Sequence, residues 1–254
     1  MTALPADFLR RPVAHRALHG PGRPENSRAA VRAAVRAGYG IEIDLQLSAD
    51  GEAIVFHDYD LGRLTGERGA VGARSAHELS QIALSGGDGE GIPMLRDILA
   101  IVAGRVPLLV ELKDQDGRMG PDVGALEEAA MRALADYAGP VAVMSFNGHS
   151  VRRMGELAPH LPRGLTTSAY DATLWPHFPE SLRAHLREMP ELARSGAVFV
   201  SHEAGDLGRP RIADLKAREM PVLCWTIRSE EDERAARRLA DNVTFEGYAA
   251  AIPA

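Results

Sequence analysis

Two carboxylates and a histidine come close together along one short stretch of the sequence. Glu42 and Asp44 alternate with apolar residues in a run typical of a β-strand. Because side chains two apart on a strand point to the same face, the two acids are expected to lie side by side. The tight-turn pair Asp50-Gly51 follows, and the next apolar run ends at His57. The stretch therefore predicts a hairpin that returns a histidine to a pair of acids.

A bound cation would stabilise that pair of acids. Two ionised carboxylates at close range repel each other, and a positive ion relieves the repulsion. Carboxylate oxygens are ligands that suit Mg²⁺ or Ca²⁺. The alternative is a surface strand with a solvated charged face, which is the usual case for any single acid. The returning histidine favours a functional site, because clustered titratable groups mark such sites.

Two further pairs of polar residues come at the ends of apolar runs. His15-Arg16 follows the run that starts at Pro12, and Glu111 shares a strand face with Lys113. Three carboxylates suffice to hold a hard cation, whereas arginine and lysine suit an anionic phosphate. Two histidines can act as general acid and base near neutral pH. If these residues converge, the set predicts metal-assisted cleavage of a phosphodiester.

The elements that would bring these residues together alternate along the chain as strands and helices. Eight predicted strands, most of them separated by helical patterns, start near Val13, Gly40, Pro107, Val141, Gly164, Ala197, Pro221 and Val243. The alternation predicts one α/β domain over residues 1–254, a (β/α)₈ TIM barrel with the β-hairpin and a small insertion, residues 59–91, after strand 2. Functional residues of such barrels lie at the C-terminal ends of the strands. An open doubly wound sheet is the alternative, but no Gly-rich dinucleotide turn follows the first strand.

Composition and charge exclude some classes of function. The net charge of −6 and the pI near 5.9 argue against a nucleic-acid-binding protein, which would be basic. The lone Cys224 can form no internal disulfide and is expected to be a buried thiol. No stretch approaches the ~18 apolar residues of a membrane span, and the first residues lack the apolar core of a signal peptide. The sequence therefore predicts a soluble, cytoplasmic protein without stable membrane insertion and leaves its oligomeric state open.

The sequence resembles the glycerophosphodiester phosphodiesterase family over nearly the whole chain. The most specific matches, in order and spacing, are Ala14-His15-Arg16, Pro24-Glu25-Asn26-Ser27, Ile41-Glu42-Ile43-Asp44-Leu45, Asp50-Gly51, Val55-Phe56-His57-Asp58, Ile92-Pro93-Met94-Leu95 and Glu111-Leu112-Lys113. Weaker matches follow at Ser145-Phe146-Asn147, Cys224-Trp225-Thr226 and Phe245-Glu246-Gly247. The chain departs from the family at Ala17, where glycine is usual, and at Ser27, where threonine is common.

The resemblance implies a barrel enzyme with one divalent cation, Mg²⁺ or Ca²⁺. Glu42, Asp44 and Glu111 are the implied metal ligands. His15 and His57 are the implied acid–base pair, without a decision on which is which. Because His57 lies on the hairpin arm above the barrel, we favour it as the acid.

The resemblance also implies a small-molecule phosphodiester as substrate. Arg16 and Lys113 would contact its phosphate, and Trp225 would stand in the wall of the substrate site. The implied reaction converts a glycerophosphodiester to glycerol 3-phosphate and an alcohol. In it, a glycerol hydroxyl attacks phosphorus, the alcohol leaves, and water opens the cyclic phosphate.

Two other functions stay open. A phospholipase D-like enzyme acting on lysolipids would need an apolar entrance, and residues 59–91 are not strongly apolar. A barrel that only binds phosphorylated ligands would not need the metal ligands and the two histidines. All of them are present in the sequence, which argues against this alternative. The leaving alcohol and the identity of the metal are undetermined. The remaining histidines, His19 among them, are interpreted as structural, and no role is assigned to Glu25 or Glu246.

Overall fold

The structure, a computed structural model, describes residues 2–253 of the chain. Its strands are β1 (Val13–Ala14), β2 (Gly40–Leu47), β3 (Ala53–Val55), β4 (Leu108–Leu112), β5 (Val141–Ser145), β6 (Arg163–Thr167), β7 (Phe199–Glu203), β8 (Val222–Ile227) and β9 (Asn242–Phe245). All except β3 run parallel, and β1 closes the barrel by pairing with both β2 and β9. Strand β3 is the antiparallel return arm of a hairpin with β2. The predicted (β/α)₈ barrel with a hairpin after its second strand is therefore confirmed.

Helices cover the outside of the barrel and seal one end of it. They are α1 (Asp7–Arg10), α2 (Arg28–Ala37), α3 (Ala76–Gln81), α4 (Leu95–Val102), α5 (Ala125–Leu134), α6 (Gly148–Leu157), α7 (Glu180–Arg187), α8 (Leu192–Ser195), α9 (Pro210–Ala217) and α10 (Glu230–Ala236). Helix α2 begins where Ser27 accepts a hydrogen bond from the Ala30 N–H, and it ends at Gly38 with φ +79°. Its alanines and valines pack in one apolar layer with the outward-facing residues of β2.

The interior of the barrel has an apolar layer below a polar one. Leu109, Phe199 and Leu223 fill the end near the N-termini of the strands, together with Phe8 of α1. Helix α1 was not predicted, because four residues are too few for a periodic pattern. On β4, the next inward-facing residue after Leu109 is Glu111, so a carboxylate takes the place of an apolar side chain there. The apolar layer therefore forms the floor on which the polar side chains stand.

Two helix bounds in the second half follow from single residues. Helices α7 and α8 are separate because Pro190, which lies between them, lacks a backbone donor. Helix α5 begins only at Ala125, after Gly124 with φ +135°. These bounds lie away from the strand ends that carry the predicted site residues.

Residues 59–91 fold against the hairpin instead of extending into solvent. They contain two 3₁₀ turns, Leu61–Arg63 and Val71–Ala73, and helix α3. Together with residues of the hairpin they form a separate apolar cluster of Ile54, Phe56, Leu61, Val71, Ala76, Leu79, Leu84 and Ile92. The segment is thus tied to the return arm that leads into His57.

Two smaller predictions concern a thiol and the membrane. Cys224 on β8 is fully buried, as predicted, and burial raises the pKa of its thiol to about 12. Within residues 2–253, no helix has both the length and the apolar character needed to cross a membrane.

Candidate active site

Three buried carboxylates meet at the C-terminal ends of β2 and β4. Glu42, Asp44 and Glu111 each offer an oxygen, and these oxygens all lie within 4.8 Å of one another. The parallel register of β2 and β4 sets Asp44 directly beside Glu111. Burial and the neighbouring acids raise the pKa of Glu42 well above its ordinary value. The predicted convergence of the three acids is present in the structure.

Lys113 lies inside this acid cluster. Its Nζ is 2.7 Å from Asp44 Oδ1 and also contacts Glu111 Oε1. Burial alone would lower the pKa of the ammonium, but Asp44 and Glu111 raise it above its ordinary value. The residue predicted to contact phosphate thus supplies part of the positive charge that the acids need.

A hard divalent ion fits this set of residues. Three oxygen donors of the type that Mg²⁺ and Ca²⁺ prefer converge in one buried place. Lys113 compensates Asp44 and Glu111 directly, whereas the pKa of Glu42 stays raised. Positive charge from a divalent ion would oppose the effects of burial and of the neighbouring acids on Glu42.

The loop after β1 orients the acids from the side. The backbone N–H of Arg16 donates to Glu42 Oε2 at 2.8 Å, and the Asn26 side-chain amide donates to Asp44 Oδ2 at 2.9 Å. Arg16, Ala17 and Asn26 all have φ between +50° and +64°, a region that L-residues rarely adopt. At Ala17 the resemblance implied glycine, which adopts such a positive φ without strain. The loop holds this shape against the strain because its groups bind the acids.

His15 is fixed by a residue from the other end of the chain. Its Nδ1 lies 2.6 Å from Glu246 Oε2, which is also 3.4 Å from His19 Nε2. Arg228 contacts the other oxygen of the same carboxylate at 2.7 Å. Burial lowers the pKa of His15, and the hydrogen bond to Glu246 opposes that effect. The carboxylate leaves Nε2 as the ring nitrogen available for chemistry.

His57 enters the same site from the hairpin arm. Its Nδ1 is 2.7 Å from Asp58 Oδ1, and its backbone carbonyl accepts a hydrogen bond from the Gln46 amide at 3.0 Å. One cavity of about 60 Å³ is lined by His15, His57, Arg16, Lys113, Trp225 and the three acids, together with Met144, Phe146, Ser201 and Thr244. All the predicted site residues therefore face one space.

An aromatic wall bounds that space on the side opposite β2. The Trp225 indole N–H donates to the Ser201 carbonyl at 3.1 Å, which fixes the ring. Phe146 packs edge-on against Trp225 with ring centroids 5.6 Å apart, and against Trp175 at 5.2 Å. Trp225 was expected in such a wall. Phe146 was not assigned a role, although it lies in a motif that carries the resemblance.

The site brings two histidines, three carboxylates, an arginine and a lysine to one cavity at the mouth of a (β/α)₈ barrel. Such a set is typical of enzymes that cleave phosphodiesters. The sequence profile of the glycerophosphoryl diester phosphodiesterase family matches residues 15–245. The chain belongs to that family, and it is an enzyme of the phosphoric diester hydrolase class.

Individual proteins of known sequence or structure agree with this assignment. A glycerophosphodiester phosphodiesterase of Caldanaerobacter subterraneus is 32% identical over 161 residues, which is 60% of this chain and 65% of that protein. YhdW of Bacillus subtilis, provisionally named as a glycerophosphodiester phosphodiesterase, is 28% identical and covers 86% of each chain. The solved structure of an Oleispira antarctica phosphodiesterase in complex with the product sn-glycerol-3-phosphate matches with a TM-score of 0.76. It is 25% identical, over 94% of this chain and 93% of the other.

Proposed function

We propose that this enzyme hydrolyses glycerophosphodiesters to glycerol 3-phosphate and an alcohol. The observation that carries the proposal is the single cavity into which two histidines, an arginine, a lysine and three carboxylates all face. The similar Oleispira antarctica enzyme was solved with sn-glycerol-3-phosphate, the product of this reaction.

We propose one divalent cation, Mg²⁺ or Ca²⁺, bound by Glu42, Asp44 and Glu111. When bound, such an ion would stabilise the negative charge that develops on the phosphoryl oxygens. The buried oxygens and the raised pKa of Glu42 support this ligand set.

Arg16 and Lys113 are the proposed phosphate contacts. Arg16 Nε is buried, lies 3.6 Å from Asp44 Oδ2 and makes no hydrogen bond among the described residues, so it can donate one to an anion in the cavity. Lys113 Nζ bonds to Asp44 and Glu111 and can reach a ligand that lies against those acids.

His15 and His57 divide the proton transfers in this proposal. One accepts the proton of the glycerol hydroxyl that attacks phosphorus, and the other donates a proton to the departing alkoxide. Water then opens the cyclic phosphate with the roles reversed. Each ring is held through Nδ1 by a carboxylate, which supports a common orientation for proton transfer at Nε2.

The leaving alcohol would lie against the aromatic wall that includes Trp225. Leu174, 58% exposed, precedes Trp175 at the edge of this wall. This apolar edge is the observation that favours the second candidate function, phospholipase D-like cleavage of lysolipids.

We propose residues 1–254 as one catalytic domain in which the 59–91 insertion bears on substrate choice. A cytoplasmic location stays a prediction.

The test is a coupled assay for glycerol 3-phosphate release. It uses glycerophosphodiesters with several headgroups, with chelator, and with added Mg²⁺ or Ca²⁺. We expect release that chelator abolishes and a divalent ion restores. Release of a free headgroup from lysolipids, without glycerol 3-phosphate, would favour the second candidate. Binding of diesters without turnover under any condition would contradict both and favour a non-catalytic barrel.

A further inference from the structure

Arg63, in the insertion, holds two carboxylates at once. Its Nε and Nη2 donate to the two oxygens of Asp58 at 2.6 and 2.8 Å. Its Nη1 and Nη2 donate to the two oxygens of Glu25 at 2.9 and 2.8 Å. The planar guanidinium matches this arrangement, because it presents several donors in a fixed fork.

Each of these carboxylates also contacts a residue of the candidate active site. Asp58 Oδ1 is the partner of His57 Nδ1 at 2.7 Å. Glu25 Oε1 accepts a hydrogen bond from Arg16 Nη1 at 2.8 Å. Arg63 therefore contacts the partner of a proposed proton carrier, His57, and the partner of a proposed phosphate contact, Arg16.

The position of Arg63 is itself fixed by the fold of the insertion. It ends the 3₁₀ turn Leu61–Arg63, in which the Asp60 side chain accepts a hydrogen bond from the Gly62 N–H. Leu61 of the same turn is fully buried in the apolar cluster shared with the hairpin. Packing of the insertion thus places the guanidinium, although the side chain is 48% exposed.

We infer that Arg63 is a positioning residue for the reaction, which orients His57 through Asp58 and Arg16 through Glu25. The inference rests on the proposed roles of His57 and Arg16. With Arg63 in place, the Asp58 carboxylate is held on both oxygens and keeps the His57 ring in one orientation. Without it, Asp58 can rotate, and two carboxylates face each other with no cation between them.

The test compares Arg63→Met with a matched variant, Arg74→Met. Arg74 lies in the same insertion, with its side chain 40% exposed and 3.9 Å from Glu67. We expect Arg63→Met to lower kcat by about 10–100-fold, as loss of an orienting partner does. KM should change less. Arg74→Met should behave as the parent enzyme, and both variants should unfold at the parent temperature within a few degrees.

Two further measurements distinguish positioning from general stabilisation. Arg63→Lys should not restore kcat, because a point charge cannot bond to both carboxylates in the same way. Combining Arg63→Met with Asp58→Asn should cost less in kcat than the product of the two single losses, since part of the effect of Arg63 passes through Asp58. Additive losses, or full rescue by Arg63→Lys, would overturn the inference.

A comparison with His57→Ala separates this inference from the proposed function. If Arg63→Met keeps the parent kcat while His57→Ala is impaired, the inference fails and the proposed function stands. If His57→Ala keeps the parent kcat, the proposed proton transfer fails, and the positioning role fails with it.

Discussion

The three carboxylates of the site differ in the donors that reach them. Asp44 accepts hydrogen bonds from Asn26 and Lys113, whereas Glu42 accepts one from the backbone of Arg16. Despite burial, Lys113, His57 and Arg16 hold the pKa of Asp44 well below its ordinary value, while the pKa of Glu42 is raised. A divalent ion would favour the ionised form of Glu42, because its charge opposes the effects of burial and of the neighbouring acids.

Alanine variants of the two histidines should separate the acid from the base. An alkoxide is a poor leaving group near pH 7 and needs a proton as its bond to phosphorus breaks. We expect His57→Ala to slow alkyl diesters by roughly 10²–10⁴-fold and nitrophenyl diesters much less, and His15→Ala to slow both alike. Turnover of a leaving-group series measures this. The opposite pattern would reverse the roles, and variants without any loss of rate would exclude both histidines.

Glu246→Gln should shift the pH dependence of the reaction. Glu246 opposes the effect of burial on His15, so removal of its charge should lower the pKa of His15 further. If His15 is the base, it must be neutral, and activity rises as pH rises through that pKa. The acid limb of kcat/KM against pH should then move to lower pH in the variant. A limb that stays in place or moves to higher pH would contradict the role of Glu246.

The hairpin and the insertion act as one packed element. Strand β3 carries Ile54 into the cluster that buries Leu61, so the arm that ends at His57 and the turn that ends at Arg63 share a core. Periodicity along the sequence predicted the hairpin, because strand faces alternate every two residues. It did not predict the turn, since irregular segments carry no period. The contact between Arg63 and Asp58 was therefore not predictable from the sequence.

Gly91→Ala tests how firmly this element is packed. A Cβ at residue 91 would lie 1.8 Å from the backbone oxygen of Ser80, so the insertion would have to move. We expect a loss of about 1–3 kcal/mol in the free energy of unfolding, as overpacking causes. Gly66→Ala is the control in the same segment, because a Cβ there meets nothing within 4 Å. Chemical denaturation measures both variants, and equal stabilities would contradict tight packing at Gly91.

Across the whole molecule, the sequence predicted contacts between adjacent early strands better than contacts made by closure of the barrel. Glu42, Asp44 and Glu111 could be predicted to converge, because β2 and β4 are neighbours and the faces follow the strand period. The bond between His15 and Glu246 joins residues 231 positions apart. It depends on the register of β1 with β9, and a motif read along the chain contains no information on that register.

Chelation and Lys113→Met together test how the fold tolerates the acid cluster. We expect the parent chain to stay folded in chelator, because Lys113 compensates two of the buried acids. Lys113→Met should lose up to about 3–5 kcal/mol in chelator, since it leaves buried charges unpaired. Mg²⁺ or Ca²⁺ should recover much of that stability but not the turnover, because the proposed phosphate contact is also missing. Thermal unfolding and diester turnover measure the two effects. Parent-like stability and kinetics in the variant would contradict both roles.

The ammonium of Lys113 among the acids also bears on how the enzyme would behave in a cell that is short of the proposed ion. Small metal-dependent domains such as zinc fingers are unfolded until metal arrives, so their supply is tied to that of the metal. In this protein the Lys113 ammonium compensates two of the buried acids as soon as the chain folds, so folding does not wait for a metal ion. Newly made molecules could therefore accumulate intact while divalent ions are scarce and start work when the concentration rises. The concentration of divalent ions would then determine which fraction of the folded enzyme molecules is active. It would not determine how long those molecules stay folded.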